Sequence, residues 1–319
     1  MLAFHNDPAR KQAVLERIRE HLDAGDVVPL PAYWDKGKGG PAACAVHDAD
    51  PAAFEQALDI SRAILPIVEA IYRKTYNTAP PHVEVSLDVD ELALARAFPF
   101  DWLDVLPLGA DVRDVPARMI LWMLGDPLEG TITAVSDEEV LELLAQVLAA
   151  HRSVLAGGSP AAAEWSSLRR RAMKLADSLP PGSLNALAAV TIESAAWPTT
   201  ASGNIALDVF DSYVNGFEAL AAAQTGWSAE DREMAERFRV EQNQEMAEAL
   251  KGLEGEAWQN AAQRIVRAQR EVIDRDHPDF QTKQLAFRRA YDGLRWGRVL
   301  SAQRALLDLL QRAPVPATL

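Results

Sequence analysis

The chain has 319 residues, 49% of them hydrophobic and 24% charged, and its 46 acidic against 32 basic residues leave a formal net charge of -14 at pH 7. That composition is that of a folded chain, and the acidic excess argues against a large phosphate-binding surface, because nucleic-acid affinity rests on lysine and arginine displacing counterions. At this length a single hydrophobic core usually stops growing, so two domains are expected.

The first helix should open at Pro8, with Asp7 as its N-cap and proline in the first turn, and Val14, Leu15, Ile18 and Leu22 recur at helical spacing until Gly25. From Asp26 to Asp50 the periodicity dissolves into prolines, glycines and small residues, a long polar loop of the kind that is usually functional. Asp50-Pro51 repeats the cap-plus-proline pattern ahead of a short helix through Leu58. The stretch from Ser61 to about Thr75 then turns Ile64, Leu65, Val68, Ile71 and Tyr72 inward, with Pro66 either kinking it or marking its first turn.

Val83, Val85, Leu87 and Val89 alternate with polar neighbours, the period of a half-buried strand. Only Thr131 to Val135 and Val27-Val28 offer it partners, so any sheet must be small. Ser136 and Glu139 form a capping-box pattern ahead of a helix to about Leu155, and Gly157-Gly158-Ser159-Pro160 makes the strongest boundary in the chain. Beyond it the pattern is helical: 160–178, one segment from Ile205 to Gln224, a helix capped by Ser228 and running to about Leu250, and two more over 256–275 and 282–312.

The expected fold is therefore mainly α: an N-terminal helical domain over 1–157 carrying the polar loop 26–50, and a C-terminal helical domain over 158–319, with a small β element near residues 83–89. A single cysteine excludes an intramolecular disulfide and fits a reducing compartment. The N-terminus lacks a basic-then-apolar leader, and the most apolar run, Leu184 to Ile192, falls far short of the ~20 residues that span a bilayer. A cytoplasmic location without membrane contact is expected.

Unusual polar sequence concentrates in two places, the leader and the loop around residues 34–50. Cys44 and His47 stand three apart, and an imidazole beside a thiol can lower its pKa and create a nucleophile, which makes Cys44, His47 and the leader's His5 the catalytic candidates. The bland alternative is a small buried cysteine filling a gap, with a histidine on the loop surface. His5, His47 and Asp48 carry the ligand types that suit a divalent metal, although their spacing matches no metal signature. Lys36 and Lys38, flanking Gly37, are candidates to hold a phosphate or cofactor, without the strand–loop–helix context of a Walker loop.

Three segments together carry a resemblance: Leu2-Ala3-Phe4-His5-Asn6-Asp7-Pro8, Lys36-Gly37-Lys38-Gly39 leading to Cys44 and His47, and Leu106-Pro107-Leu108-Gly109-Ala110-Asp111. They resemble an uncharacterised family of phage and bacterial proteins with an LAFHNDP-type leader, a GKGCAVGC-type loop and an IPVGAD-type turn. The resemblance spans roughly residues 1 to 170 and implies landmarks rather than an activity. Gly40 stands where that family has its first cysteine, which argues against any role that needs two thiols.

Two functional classes fit this reading. One is a small-molecule site, binding or performing hydrolytic or group-transfer chemistry, built from the leader and the 34–50 loop. The other is a helical interaction module, a regulator or assembly factor whose C-terminal helices bind a protein partner or a second copy.

Overall fold

The computed structural model describes residues 1–78, 89–198, 204–253 and 255–316. The fold is mainly α, with a single two-stranded hairpin as the sheet found among the described residues. No described helix is long and apolar enough to cross a membrane. The strand expected at Val83 to Val89, His82 and the Thr199-Thr200 loop fall outside the described residues, except that Val89 begins a helix.

The chain divides into two compact units, Met1–Gly216 with Arg295–Leu319, and Phe217–Leu294. This division falls elsewhere than the boundary expected at Gly157-Gly158. Helices α7 (Glu138–Leu155), α8 (Ala162–Ser178) and α9 (Leu184–Ala195) pack on one another across that turn and share one core, through Leu144, Trp165, Leu168 and Ile192. The glycines turn the chain without separating its cores.

The larger unit begins with a tight turn over Ala3–Asn6, followed by α1 (Pro8–Ala24) with the Asp7 carboxylate accepting from the Ala9 N–H. The supposed loop 26–50 is more ordered than its composition suggests. It holds the hairpin β1 (Trp34–Asp35) and β2 (Lys38–Gly39), turned by Lys36 and Gly37 at positive φ, and the six-residue helix α2 (Pro41–Val46). Val27 joins this hairpin through an isolated bridge to Gly39. Then come α3 (Pro51–Leu58), capped by Asp50 as expected, and α4 (Leu65–Thr78), where Pro66 occupies the first turn and no kink is required.

Helices α5 (Val89–Asp104), α6 (Val115–Gly125), α7 to α9 and α10 (Ile205–Asn215) complete the unit up to Gly216. The Thr131–Val135 segment is a 3-10 turn over Thr131–Ala134, not a strand. The cap of α7 lies one residue later than the Ser136 pattern implies: the Asp137 carboxylate accepts from the Val140 N–H, leaving Glu138 and Glu139 in the first turn, where the helix dipole favours them. The core runs through Phe4, Ile18, Phe54, Trp102, Met119, Leu143 and Phe210, and is joined by Val299, Leu306 and Leu310 of the last helix.

The second unit contains α11 (Glu218–Thr225), α12 (Ala229–Ala249), α13 (Gly255–Asp276) and the first turns of α14 (Phe280–Gln311). The segment expected as one helix from Ile205 to Gln224 breaks at Gly216 and Phe217. Ser228 and Asp231 cap α12 reciprocally, each side chain accepting from the other's backbone N–H. A separate small core of Ala222, Trp227 and Phe280 organises this unit, with Phe287 stacked on Trp227.

Candidate functional site

The leader is pinned by its backbone rather than offered as a site. Phe4, His5 and Asn6 all take left-handed φ angles, at 58°, 53° and 56°. Such residues cost on the order of 1 kcal/mol each and persist only where surroundings over-determine them. Here the Leu2 N–H donates to the Asp59 carboxylate at 2.7 Å, the Ala3 N–H to the Ala110 carbonyl at 3.1 Å, and the Gly109 N–H to the Ala3 carbonyl at 3.0 Å. Phe4 is fully buried beneath them. Two of the three landmark segments, the leader and the Gly109 turn, are thus one structural joint. His5 lies exposed at its edge, with Nε2 3.3 Å from the Gln56 carbonyl.

Cys44 sits on the inner face of α2, in the core, completely buried. Its thiol donates to the Gly39 carbonyl at 3.3 Å, and burial, ahead of the nearby Glu69 and Asp26 carboxylates, pushes its pKa up to about 12. A thiol so placed carries almost no thiolate at neutral pH. The gap-filling alternative describes it better than the nucleophile reading.

His47 ends α2 in the left-handed C-cap position, φ 58°, and its ring packs against α1. There its Nε2 meets the Nε2 of His21 at 2.9 Å, while the Trp34 indole stacks flat on it, centroids 4.7 Å apart. Two imidazole nitrogens at that distance share one proton, one donating and the other accepting. Burial, then Arg17 and His21, lower the His47 pKa. Sequence reasoning passed over His21, whose position on the α1 surface stripe carries no local signal of its partner.

The expected constellation therefore does not assemble. His5, Cys44 and His47 face three different surroundings, and among the described residues no three His, Cys, Asp or Glu side chains are grouped to hold a metal ion. Lys36 and Lys38 lie on the hairpin, Lys38 with its ammonium 3.8 Å from Asp26 and largely exposed. Of all the candidates only Asp48 lines the main cavity of the larger unit.

That cavity has a volume of about 680 Å³ and lies among α2, α3 and α4. Its walls are mostly apolar, with Pro31, Ala43, Phe54, Ala63, Leu65 and Leu207. Into this wall the chain places Glu69, only 6% exposed. One carboxylate oxygen, Oε1, accepts from the Ala42 N–H at 3.2 Å, and Oε2 has no hydrogen-bond partner among the described residues. Burial pushes the Glu69 carboxyl up to about 7, against the opposing pull of the Ala42 N–H and of Arg73.

Gly40 makes the room for it. A Cβ at that position would stand 2.7 Å from Glu69 Oε2 and 2.7 Å from the Leu30 carbonyl. Gly40 is thus the residue against which the buried carboxyl is seated. Glu69 was missed by sequence reasoning, yet a signal existed: it lies on the same stripe as Leu65 and Tyr72, an acid four residues after one inward apolar side chain and three before another. A buried carboxyl with an unpartnered oxygen and a pKa near neutral, at the wall of a mostly apolar cavity, can hold a polar head group or pass a proton. Comparison with known protein families, curated proteins and solved structures gives no match that would name this site.

Proposed function

We propose that this chain is a small-molecule-binding protein, with the cavity among α2, α3 and α4 as its ligand site and Glu69 as its polar anchor. The observation that carries this reading is the buried Glu69 oxygen without a partner. A buried polar atom left unsatisfied costs on the order of 1–3 kcal/mol, and a ligand head group that bonds to it would recover that cost. The volume suits a ligand of one or two rings. The loop 34–50 contributes through Ala43, Asp48, Ala49 and Asp50, whereas the leader acts as the brace that holds its surroundings.

The test is a titration of phenol, benzyl alcohol and imidazole followed by backbone amide shifts of the full chain. Saturable shifts confined to Ala43, Asp48, Phe54, Ala63 and Glu69, lost in a folded Ala63→Trp variant that fills the cavity, are expected. Shifts that fail to saturate, or that scatter over the surface, would remove the reading. A cytoplasmic, phage- or bacterium-associated role belongs to the same proposal, supported by the lone cysteine and the landmark segments.

A second reading, an interaction module, draws support from Trp258, Val266 and Val272 of α13, which are each more than 40% exposed. Light scattering of the Trp258→Lys, Val272→Lys variant against the parent separates the two. A mass that rises with concentration only in the parent supports association through this helix, and a constant monomer mass in both refutes it.

A further inference from the structure

Resting on the ligand-site reading, we propose that the cavity selects an organic cation: a molecule with an apolar body and a protonated amine or amidinium whose N–H donates to Glu69 Oε2. Three observations converge on this class. The carboxyl is fixed in place with both oxygens against Gly40, Oε1 held by the Ala42 N–H and Oε2 buried without a hydrogen-bond partner among the described residues. The cavity wall carries four carboxyl groups, Asp48, Asp50, Glu55 and Glu69, against the guanidiniums of Arg62 and Arg73. Each guanidinium already faces a carboxylate, Arg62 at 3.8 Å from Glu55 and Arg73 at 4.0 Å from Asp211. What remains for a ligand is negative, so an anion would be repelled and a cation drawn in.

The body of the ligand would lie on Phe54, Leu65 and Leu207, whose surfaces favour an aromatic or branched aliphatic group. A buried ionised carboxylate is costly when unpaired and stable when a charge-assisted hydrogen bond reaches it. Without ligand, the groups facing Glu69 are the Cys44 thiol, the Tyr72 hydroxyl, Arg73 and the Ala42 N–H, with Asp48 and Asp50 at the same cavity. Of these only Arg73 is a cation, and it is turned to Asp211. An incoming ammonium therefore meets a carboxyl that is partly protonated near neutral pH, and the exchange balances as one ammonium bound and one proton released to solvent. Binding should tighten as pH rises from 5.5 to 8.

The probe is benzylammonium, compared with benzyl alcohol and benzoate as neutral and anionic counterparts of similar shape, by calorimetric titration of the full chain at pH 7.5. Benzylammonium is expected to bind at least tenfold more tightly than either counterpart, and Glu69→Gln to weaken it at least tenfold and to abolish the proton release that accompanies it. Where Glu69→Gln proves unfolded by circular dichroism, the parent alone decides, because titrations at pH 6 in buffers of different ionisation enthalpy read the released proton directly. Tighter binding of the alcohol or the benzoate, or no proton release, overturns the cation assignment while the ligand-site reading stands. Binding of none of the three to the folded chain overturns the cation assignment and the reading beneath it together.

Discussion

Replacing Glu69 by Gln keeps the size of the side chain and the oxygen that accepts from Ala42, and removes only the ionisation. In the folded parent this carboxyl is raised from 4.5 to about 7 by burial, whereas in the unfolded chain it titrates at its ordinary value. Between those two pH values the folded state therefore holds a proton that the unfolded state has lost. Stability falls as pH rises through that window, and at about 1.4 kcal/mol per pH unit the full loss is about 3 kcal/mol. Urea unfolding of parent and Glu69→Gln at pH 5, 6, 7 and 8, followed by far-ultraviolet circular dichroism, isolates this contribution, since every other titration is common to both proteins. The variant should gain on the parent by about 2 to 3 kcal/mol between pH 5 and pH 8. A difference that stays constant across the series would refute the buried, partnerless carboxyl on which the functional argument stands.

Three further outcomes are expected. Gly40→Ala adds a methyl 2.7 Å from the Glu69 carboxyl and from the Leu30 carbonyl, and since the backbone cannot yield cheaply, the urea midpoint should drop by an amount equivalent to about 1–3 kcal/mol. The Cys44 thiol, buried and held at about 12, should react with an aromatic disulfide reagent only as fast as the protein opens, so labelling that tracks free-thiol chemistry at pH 7.5 would contradict its placement. His151 is fully buried, with Nε2 at 2.8 Å from the Ala195 carbonyl, and burial lowers its pKa. A base depressed in the folded state contributes stability that is present above the unfolded value near 6.5 and is lost as pH falls below it. His151→Phe should therefore show a flatter decline than the parent between pH 6.5 and pH 5 in the same unfolding assay.

Much of the helical frame was legible from local chemistry. Asp7-Pro8, Asp50-Pro51 and the Ser228 to Asp231 box begin helices where their caps predict, because a cap is settled within four residues of chain. What escaped is non-local. Gly157-Gly158 reads as a boundary, and whether the helices on either side share a core depends on Trp165 and Ile192 joining the cluster that holds Leu144, which no local window contains. The polar loop concealed a hairpin and a six-residue helix because proline, glycine and alanine patterns carry little periodicity. The site shifted for the same reason. Cys44 and His47 stood out as residue types, but their chemistry is decided by burial in one case and by His21 and Trp34 in the other. Glu69 stood unnoticed inside an apolar stripe, and only the packed structure exposes that its second oxygen has been left without a partner.

The last helix has a practical bearing on how the gene can be cut. Its first turns supply Phe280 and Phe287 to the smaller unit, and its later ones return Val299, Leu306 and Leu310 to the larger. In primary structure the smaller unit is thus an insertion rather than a tail, so a stop codon after Gly216 would strip the remaining piece of part of its own interior and leave it prone to aggregation. Dissection calls instead for an internal splice that excises residues 217–294 and keeps the final 25 residues.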